Sequence, residues 1–446
     1  MSRYHFVAIG GAVMHNLALE LHALGNEVTG SDDEIFDPAK SRLAAANILP
    51  ETYGWFPEKI TKDIDAIILG MHAKDDNPEL QKAQELGLTI YSFPEFIYHH
   101  SQNKQRIVIA GSHGKTTSTA MLMHILKKEN IDADYLVGSL LPGFDRMVRL
   151  SDAPVIVIEG DEYLTSPIDK TPKFWHYKPQ FSMITGIAWD HVNVFPTFEN
   201  YIFQFEKYLE TISEGYFYYG SDVELLKLSE KFPQKATPYQ APVYRVEDNV
   251  VIIHVDNTDI TLNIFGKHNI ENAAGVVQLA IKLGLTELQA WQSLADFPGT
   301  AKRLEKVYED ENTLVIRDFA HAPSKVKASV SAVREQYPSR KFIAVFELHT
   351  SSSLMPEFMG QYNQTMAAAD AVFVLYDSHV FELKRMPVPS AETIKQRLGD
   401  VEVYNDANEL KLAVKNALLH HEGQKTVLLL MSSGNLAGLT TQDFIG

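Results

Sequence analysis

The residues best suited to chemistry form one short run, Gly111-Ser112-His113-Gly114-Lys115-Thr116-Thr117. It lies between an apolar stretch at 107–110 and a stretch in which Met121 and Ile125 are one helical turn apart. A glycine-rich turn at the start of a helix gathers backbone N–H groups around an anion. Gly111, His113, Gly114 and Thr117 would line such a cradle, Lys115 would reach the terminal phosphates of ATP, and the Thr116 hydroxyl would ligate Mg²⁺. The spacing is tighter than Gly-x4-Gly-Lys-Thr, and the plainer reading is a glycine turn with a solvated lysine.

The apolar run at 155–158 ends in Glu159-Gly160-Asp161-Glu162-Tyr163, and the run at 183–184 leads to Trp189-Asp190-His191. In open parallel sheets ligands sit beyond the carboxyl ends of strands, so these groups should face the crevice of the phosphate loop. Glu159 and Thr116 offer the oxygen donors that Mg²⁺ prefers; His191 is softer and would hold a second ion or orient a water. A hydrogen-bonded structural histidine is the alternative for His191. Further on, His268 and Asn272 in Gly266-Lys-His-Asn-Ile-Glu-Asn-Ala-Ala share a helix face and could hydrogen-bond a base or ribose, unless His268 or Asn269 merely caps that helix. Arg303, in Phe297-Pro-Gly-Thr-Ala-Lys-Arg-Leu-Glu, could move onto a transferring phosphoryl group, or belong to a hinge with a solvated basic pair. Asp318 and His321, in Asp318-Phe-Ala-His-Ala-Pro, could bind ribose and sit near a reaction centre, roles that spacing alone does not supply.

Positioning these groups requires strands that end at a common level. Short apolar runs alternate with helix-period stretches along the chain, the pattern of crossover units around parallel sheets, so the expected fold class is α/β with three domains. Runs at 5–9, 27–29, 66–69 and 88–91 read as strands, with Met14, Leu17, Leu21 and Leu24 on one helix face. They make a Rossmann-like first domain over 1–102, followed by the polar stretch Ser101-Gln102-Asn103-Lys104 as a linker. A central domain over 103–300 carries the phosphate loop, an aromatic-rich helix at 198–212, and an appended β-hairpin at 250–264 turning through Asp256-Asn257-Thr258-Asp259. A Rossmann-like third domain over 301–446 has strands at 314–316, 342–346, 372–375 and 427–431, and a helix with Val326, Val330 and Val333 on one face.

Composition narrows the function. The chain has 446 residues, 45% apolar and 22% charged, as expected of a multidomain globular enzyme. A net charge of −17 disfavours nucleic acid and anionic membranes as partners. The absence of cysteine excludes disulfides, thiolate nucleophiles and zinc–thiolate sites. The start of the chain lacks a basic-then-apolar signal, and the longest apolar runs fall short of the about 20 residues of a membrane span, so a cytoplasmic enzyme is expected.

Taken in order, Gly-Ser-His-Gly-Lys-Thr-Thr, Glu-Gly-Asp-Glu-Tyr, Asp-His, Gly-Lys-His-Asn-Ile-Glu-Asn-Ala, Gly-Thr-Ala-Lys-Arg-Leu-Glu and Asp-Phe-Ala-His-Ala-Pro make the chain resemble the Mur ligases over essentially its whole length. Ile9-Gly10-Gly11-Ala12-Val13-Met14, Gly30-Ser31-Asp32 and Asp76-Asn77-Pro78-Glu79 look like the members that bind UDP-N-acetylmuramate. That resemblance implies UDP-sugar contacts at Gly10, Gly11, Met14, Ser31, Asp32 and Asn77. It implies three domains binding the UDP-sugar, ATP and the incoming amine. It also implies Thr116, Glu159 and His191 as metal ligands, His268, Asn269, Asn272, Arg303 and Asp318 around the nucleotide, and Lys115, His191 and Arg303 as catalytic groups. His321 and His349 would lie beside the amine substrate. In the implied reaction the muramyl carboxylate attacks the γ-phosphate of ATP, and an amine captures the acyl phosphate.

The implied amine is an amino acid or a tripeptide. The segment at 166–179 resembles the longer loop of the members that recycle L-Ala-γ-D-Glu-meso-diaminopimelate, so tripeptide ligation is expected, with L-alanine ligation as the alternative. Phe346-Glu347-Leu348-His349-Thr350-Ser351-Ser352-Ser353 lacks the arginine found here in both kinds of member. Val13 stands where these relatives have glycine and should crowd the approach to a pyrophosphate. Lys207 lies nearest the lysine that some Mur ligases modify, but is not assigned to that role. Subunit number is not encoded in these residues. Two rivals remain: a nicotinamide-dependent dehydrogenase, for which residues 8–14 do not spell Gly-x-Gly-x-x-Gly, and a UDP-sugar sensor, which would need none of Lys115, Thr116, Glu159 and His191.

Overall fold

A computed structural model describes residues 1–141, 143–189, 194–384, 386–419 and 424–445. They divide into two compact units, Met1–Gln240 with Asn272–Leu294, and Ala241–Glu271 with Ala295–Gly446.

The first unit holds two sheets. Strands β1 (Arg3–Val7), β2 (Glu27–Ser31), β3 (Ala66–Leu69) and β4 (Ile90–Ser92) form a parallel sheet in the order β2-β1-β3-β4. Every residue of β3 is buried, as suits a parallel strand covered on both faces. β1 stops at Val7, two residues short of the expected end, because Ala8 takes a φ of 68° and turns the chain toward the helix Ala12–Ala23. That helix buries Met14, Leu17 and Leu21, whereas Leu24 falls beyond its last turn and is exposed, contrary to the expected face.

The second sheet comprises β5 (Gln105–Ala110), β6 (Ala133–Leu136), β7 (Val148–Arg149), β8 (Val155–Glu159), β9 (Phe181–Ile184), β10 (Gly215–Tyr219) and β11 (Ala236–Tyr239). The order is β11-β10-β9-β5-β8-β6-β7, parallel except for the short edge strand β7. The helix Phe198–Thr211 buries Tyr201, Phe205, Tyr208 and Leu209 completely, and the Tyr208 ring stacks on Phe174 at 4.4 Å. The polar stretch at 101–104 is anchored at both ends, with Gln102 and Asn103 exposed between them. Ser101 is fully buried, and Lys104 pairs with Asp134 at 2.8 Å while donating to the carbonyls of Ser151 and Ala153. A buried ammonium is tolerated here because each donor finds an oxygen. Between the two sheets, buried Glu20 pairs with Arg146 and accepts the Leu150 N–H at 2.9 Å.

In the second unit the expected hairpin gains a third strand. β12 (Tyr244–Glu247), β13 (Val250–Val255) and β14 (Thr258–Leu262) form an antiparallel meander. The β13–β14 turn is the pair Asp256-Asn257, with φ of 47° and 60°, the positive pair of a tight hairpin turn. The meander groups with the C-terminal residues rather than the central sheet: the Tyr244 hydroxyl donates to Glu335 at 2.6 Å. The remaining strands are β15 (Glu305–Glu309), β16 (Thr313–Asp318), β17 (Lys341–Leu348), β18 (Ala371–Tyr376), β19 (Glu402–Tyr404) and β20 (Thr426–Met431). Their order is β15-β16-β20-β17-β18-β19, with only β15 antiparallel. The helix Pro323–Gln336 buries Val326, Val330 and Val333 as expected. The α/β class is borne out throughout, and among the described residues no helix is long and apolar enough to cross a membrane.

Candidate functional site

β5 lies between β8 and β9, with Ile109 beside Glu159 and Ala110 beside Ile184, so the segments leaving these strands start at one level. The chain runs from β5 to one side and later returns to β9 on the other, which makes this a switch point where open sheets bind ligands. Two glycines shape the loop that fills it. Gly111 has a φ of 123°, and a Cβ there would lie 2.2 Å from the Thr185 hydroxyl; Gly114 has a φ of 77°, and a Cβ would lie 2.7 Å from the Asn272 amide. The Ser112 N–H donates to the Gly186 carbonyl at 3.0 Å, and the Thr185 hydroxyl donates to the His113 carbonyl. The helix Lys115–Lys128 begins without a side-chain cap, which leaves its first N–H groups for an anion. Thr117 is buried in its first turn.

Lys115 Nζ lies 2.6 Å from the Gly111 carbonyl and 2.7 Å from Glu162 Oε2. Burial works to lower its pKa, but the carboxylates of Glu162, Asp161 and Glu159 outweigh burial and hold it above the usual lysine value. The ammonium stays charged where a phosphate would need it. The Thr116 hydroxyl donates to Glu159 Oε1 at 2.7 Å, and the Gly138 N–H to Glu159 Oε2 at 2.8 Å. Two hard oxygen donors, 43 residues apart in sequence, therefore stand together in a way that fits Mg²⁺. His191, and Asp190 before it, lie outside the described residues.

A cavity of about 310 Å³ beside this loop is lined by Gly11, Val13 and Met14 together with Lys115, Glu159 and Lys173. Gly11 precedes the helix Ala12–Ala23, whose N-terminus also lacks a side-chain cap. Val13 lines the cavity while packing partly against the core. The Gly10 N–H donates to Asp32 at 2.7 Å; burial pushes the Asp32 carboxyl up to about 6, against that hydrogen bond. Ser31 is fully buried, and its hydroxyl finds no partner among the described residues. Asn77 is occupied as a helix cap, accepting the N–H groups of Glu79 and Leu80. Three side chains here have roles that the sequence reading did not assign, Glu162 having been expected only to face the crevice. Glu162 pairs with Lys115, Lys173 pairs with Asp161 at 2.6 Å, and Thr165, which lines the cavity, has a buried hydroxyl with no partner among the described residues. A signal for Glu162 existed, since it follows Glu159 by three residues in one acidic run.

The other predicted nucleotide groups lie in the second unit. His268 is partly buried, and burial together with the Arg303 charge lowers its pKa to about 4, leaving a neutral imidazole. The Asn269 amide donates to the Phe265 carbonyl at 3.0 Å, fastening the helix start. Arg303 lies over the Phe319 ring at 5.1 Å. Asp318 accepts from the N–H groups of Leu304 and Ala320, both at 2.7 Å; burial raises its pKa, opposed by Arg303 and these hydrogen bonds. His321 Nδ1 is 2.9 Å from the Phe319 carbonyl. At the ends of β17 and β20, Glu347 accepts from the Ser432 hydroxyl and the N–H groups of Leu436 and Ala437; a Cβ on Gly434 would lie 2.9 Å from both Glu347 and His349. Lys207 pairs with Glu210 on a helix surface.

Comparison with known proteins accounts for this arrangement. Residues 3–105 match the Mur ligase family catalytic domain, 109–280 the Mur ligase middle domain, and 302–434 the Mur ligase glutamate ligase domain. The chain is 32% identical over 448 residues to the UDP-N-acetylmuramate–L-alanine ligase of Lactococcus lactis subsp. lactis (strain IL1403), covering 97% of this chain and 95% of that one. Its fold is similar to the UDP-N-acetylmuramate-alanine ligase of Thermotoga maritima (TM-score 0.71, 21% identity, 100% and 98% covered). It is also similar to a murein peptide ligase of Psychrobacter arcticus 273-4 (TM-score 0.63, 23% identity, 100% and 98% covered). With a capless phosphate loop, a lysine kept charged and a hydroxyl–carboxylate pair at one switch point, and a relative this similar along nearly its whole length, the chain belongs to the Mur ligase family of ATP-dependent amide ligases.

Proposed function

We propose that the chain joins the carboxylate of UDP-N-acetylmuramate to the amino group of L-alanine, converting one ATP to ADP and phosphate. The cavity supports the choice of acid substrate: its lining includes both a capless helix N-terminus, suited to a pyrophosphate, and Lys115 of the phosphate loop. For the amine, the name of the relative at 32% identity supports L-alanine and outweighs the tripeptide expected from the loop at 166–179. Tripeptide ligation stands as the second reading on that loop. A cytoplasmic setting belongs to the same proposal.

A carboxylate oxygen of the muramyl group attacks the γ-phosphorus, the bond to the bridging oxygen breaks, and ADP leaves. The amine nitrogen then attacks the acyl carbon, phosphate departs, and the nitrogen loses its proton. Lys115 offsets the charge that would repel an anionic nucleophile, and the loop N–H groups hold the phosphates in line. Thr116 and Glu159 would hold Mg²⁺, which supplies further charge neutralisation on the phosphates. The test is to supply purified protein with ATP, Mg²⁺ and UDP-N-acetylmuramate, plus L-alanine in one reaction and L-Ala-γ-D-Glu-meso-diaminopimelate in another. Phosphate release and a UDP-linked product with L-alanine are expected; product with the tripeptide alone would establish the second reading, and none with either would favour a sensor.

A further inference from the structure

Glu162 plays no part in the reaction as derived so far, yet it holds the lysine on which that reaction depends. Its side chain is 1% exposed, with Oε2 2.7 Å from Lys115 Nζ. Its other oxygen accepts from the Tyr201 hydroxyl at 3.3 Å. Tyr201, fully buried, lies 2.9 Å from the Ser112 hydroxyl, which in turn accepts the Ala188 N–H at 2.9 Å. A polar chain therefore runs from Lys115 through Glu162 and Tyr201 to the second residue of the phosphate loop and the segment after β9.

A carboxylate this buried is costly without a counter-charge and hydrogen bonds. Lys115 supplies the charge, and that ammonium is the group an arriving phosphate must recruit. With Nζ turned to the Gly111 carbonyl and Glu162, recruitment has to draw it from an existing ion pair.

We propose that Glu162 is a positioning residue that keeps the Lys115 ammonium ion-paired at the edge of the loop until a nucleotide phosphate displaces the carboxylate, Tyr201 keeping the released carboxylate hydrogen-bonded. The inference rests on the phosphate-loop reading. The ion pair then sets a threshold on nucleotide affinity, and neutralising residue 162 lowers it.

Calorimetric titration of Mg²⁺–ADP into the full-length wild type, Glu162→Gln, Glu162→Asp and Tyr201→Phe, with a melting curve for each, tests this. Glu162→Gln should bind ADP about threefold or more tighter, with the KM for ATP falling in step and no rise in kcat, and Glu162→Asp should return toward wild type. Tyr201→Phe, which keeps the ion pair but removes a hydrogen bond from the released carboxylate, should bind about twofold more weakly. A folded Glu162→Gln that binds ADP no tighter than wild type overturns the proposal. Should that variant not fold, unchanged affinity in Tyr201→Phe does so. A wild-type protein that binds no Mg²⁺–ADP instead overturns the phosphate-loop reading itself.

Discussion

The two units place acidic side chains at the ends of parallel strands, and use them differently. In the first, Glu159 at the end of β8 meets a hydroxyl and one backbone N–H, and lines a cavity. In the second, Asp318 at the end of β16 and Glu347 near the end of β17 each accept one serine hydroxyl and two backbone N–H groups. Asp318 holds Leu304, whose φ is 46°, and Glu347 holds Leu436 and Ala437, at 52° and 50°. Left-handed conformations of such residues cost on the order of 1–3 kcal/mol each, and persist only where the surroundings enforce them. A strand-end carboxylate can thus act on a ligand directly, or fix the turn that presents other groups.

The sharpest way to probe this contrast is Lys115→Ala. Turnover should fall by roughly a thousandfold or more, because charge stabilisation of the transferring phosphoryl group is lost. Binding of UDP-N-acetylmuramate, followed by calorimetry, should stay within about twofold; a parallel loss of that binding would mean that Lys115 supports the cavity as a whole.

Glu347→Gln tests the other side. A buried amide cannot accept from all the N–H and O–H groups that now converge on the carboxylate, so stability should drop by about 2 kcal/mol in a denaturant titration. The KM for the amine should rise about tenfold as the Ser432–Ala437 turn loosens, with the KM for ATP within about twofold. Lost activity with unchanged stability would make Glu347 a direct substrate ligand and erase the contrast.

The smallest effects are expected from pH, with opposite signs in the two units. His268 has a folded pKa of about 4 against an ordinary 6.5, so the unfolded chain takes up a proton first. Its contribution is complete above pH 6.5 and is lost as pH falls toward 4. Asp32 has a folded pKa of about 6 against 3.8, so its contribution is present below 3.8 and lost as pH rises through 6. Comparing stability at pH 7 and 5, His268→Gln should remove on the order of 1 kcal/mol of acid loss, and Asp32→Asn should steepen the acid side. Identical slopes in wild type and His268→Gln would mean that the imidazole is not held neutral.

Much of the first unit's site was legible because its chemistry is nearly contiguous. Gly111 to Thr117 supplies cradle, lysine and hydroxyl in seven residues, and Glu159 is recognisable as the end of an apolar strand. Glu162 was not, because only the fold shows that the carboxylate three residues further on reaches Lys115. Asn77 and Asn269 each engage one amide atom in fastening a helix start, a use that sequence spacing does not distinguish from a ligand contact. Leu24 misled for a local reason, since the point at which a helix ends is not fixed by the apolar period, and the burial of Lys104 depends on which carbonyls lie nearby.

What the amino-acid sequence determined by itself was the alternation of strands and helices and the backbone shape of the phosphate loop. Hydrophobic period and glycine placement are local properties of the chain. What only the tertiary structure decided was the pairing of polar groups: Thr116 with Glu159, Lys115 with Glu162, Glu347 with a turn nearly ninety residues away. Hydrogen bonds and ion pairs act over a few ångströms, and it is the strand order of each sheet that brings distant parts of the chain within that range.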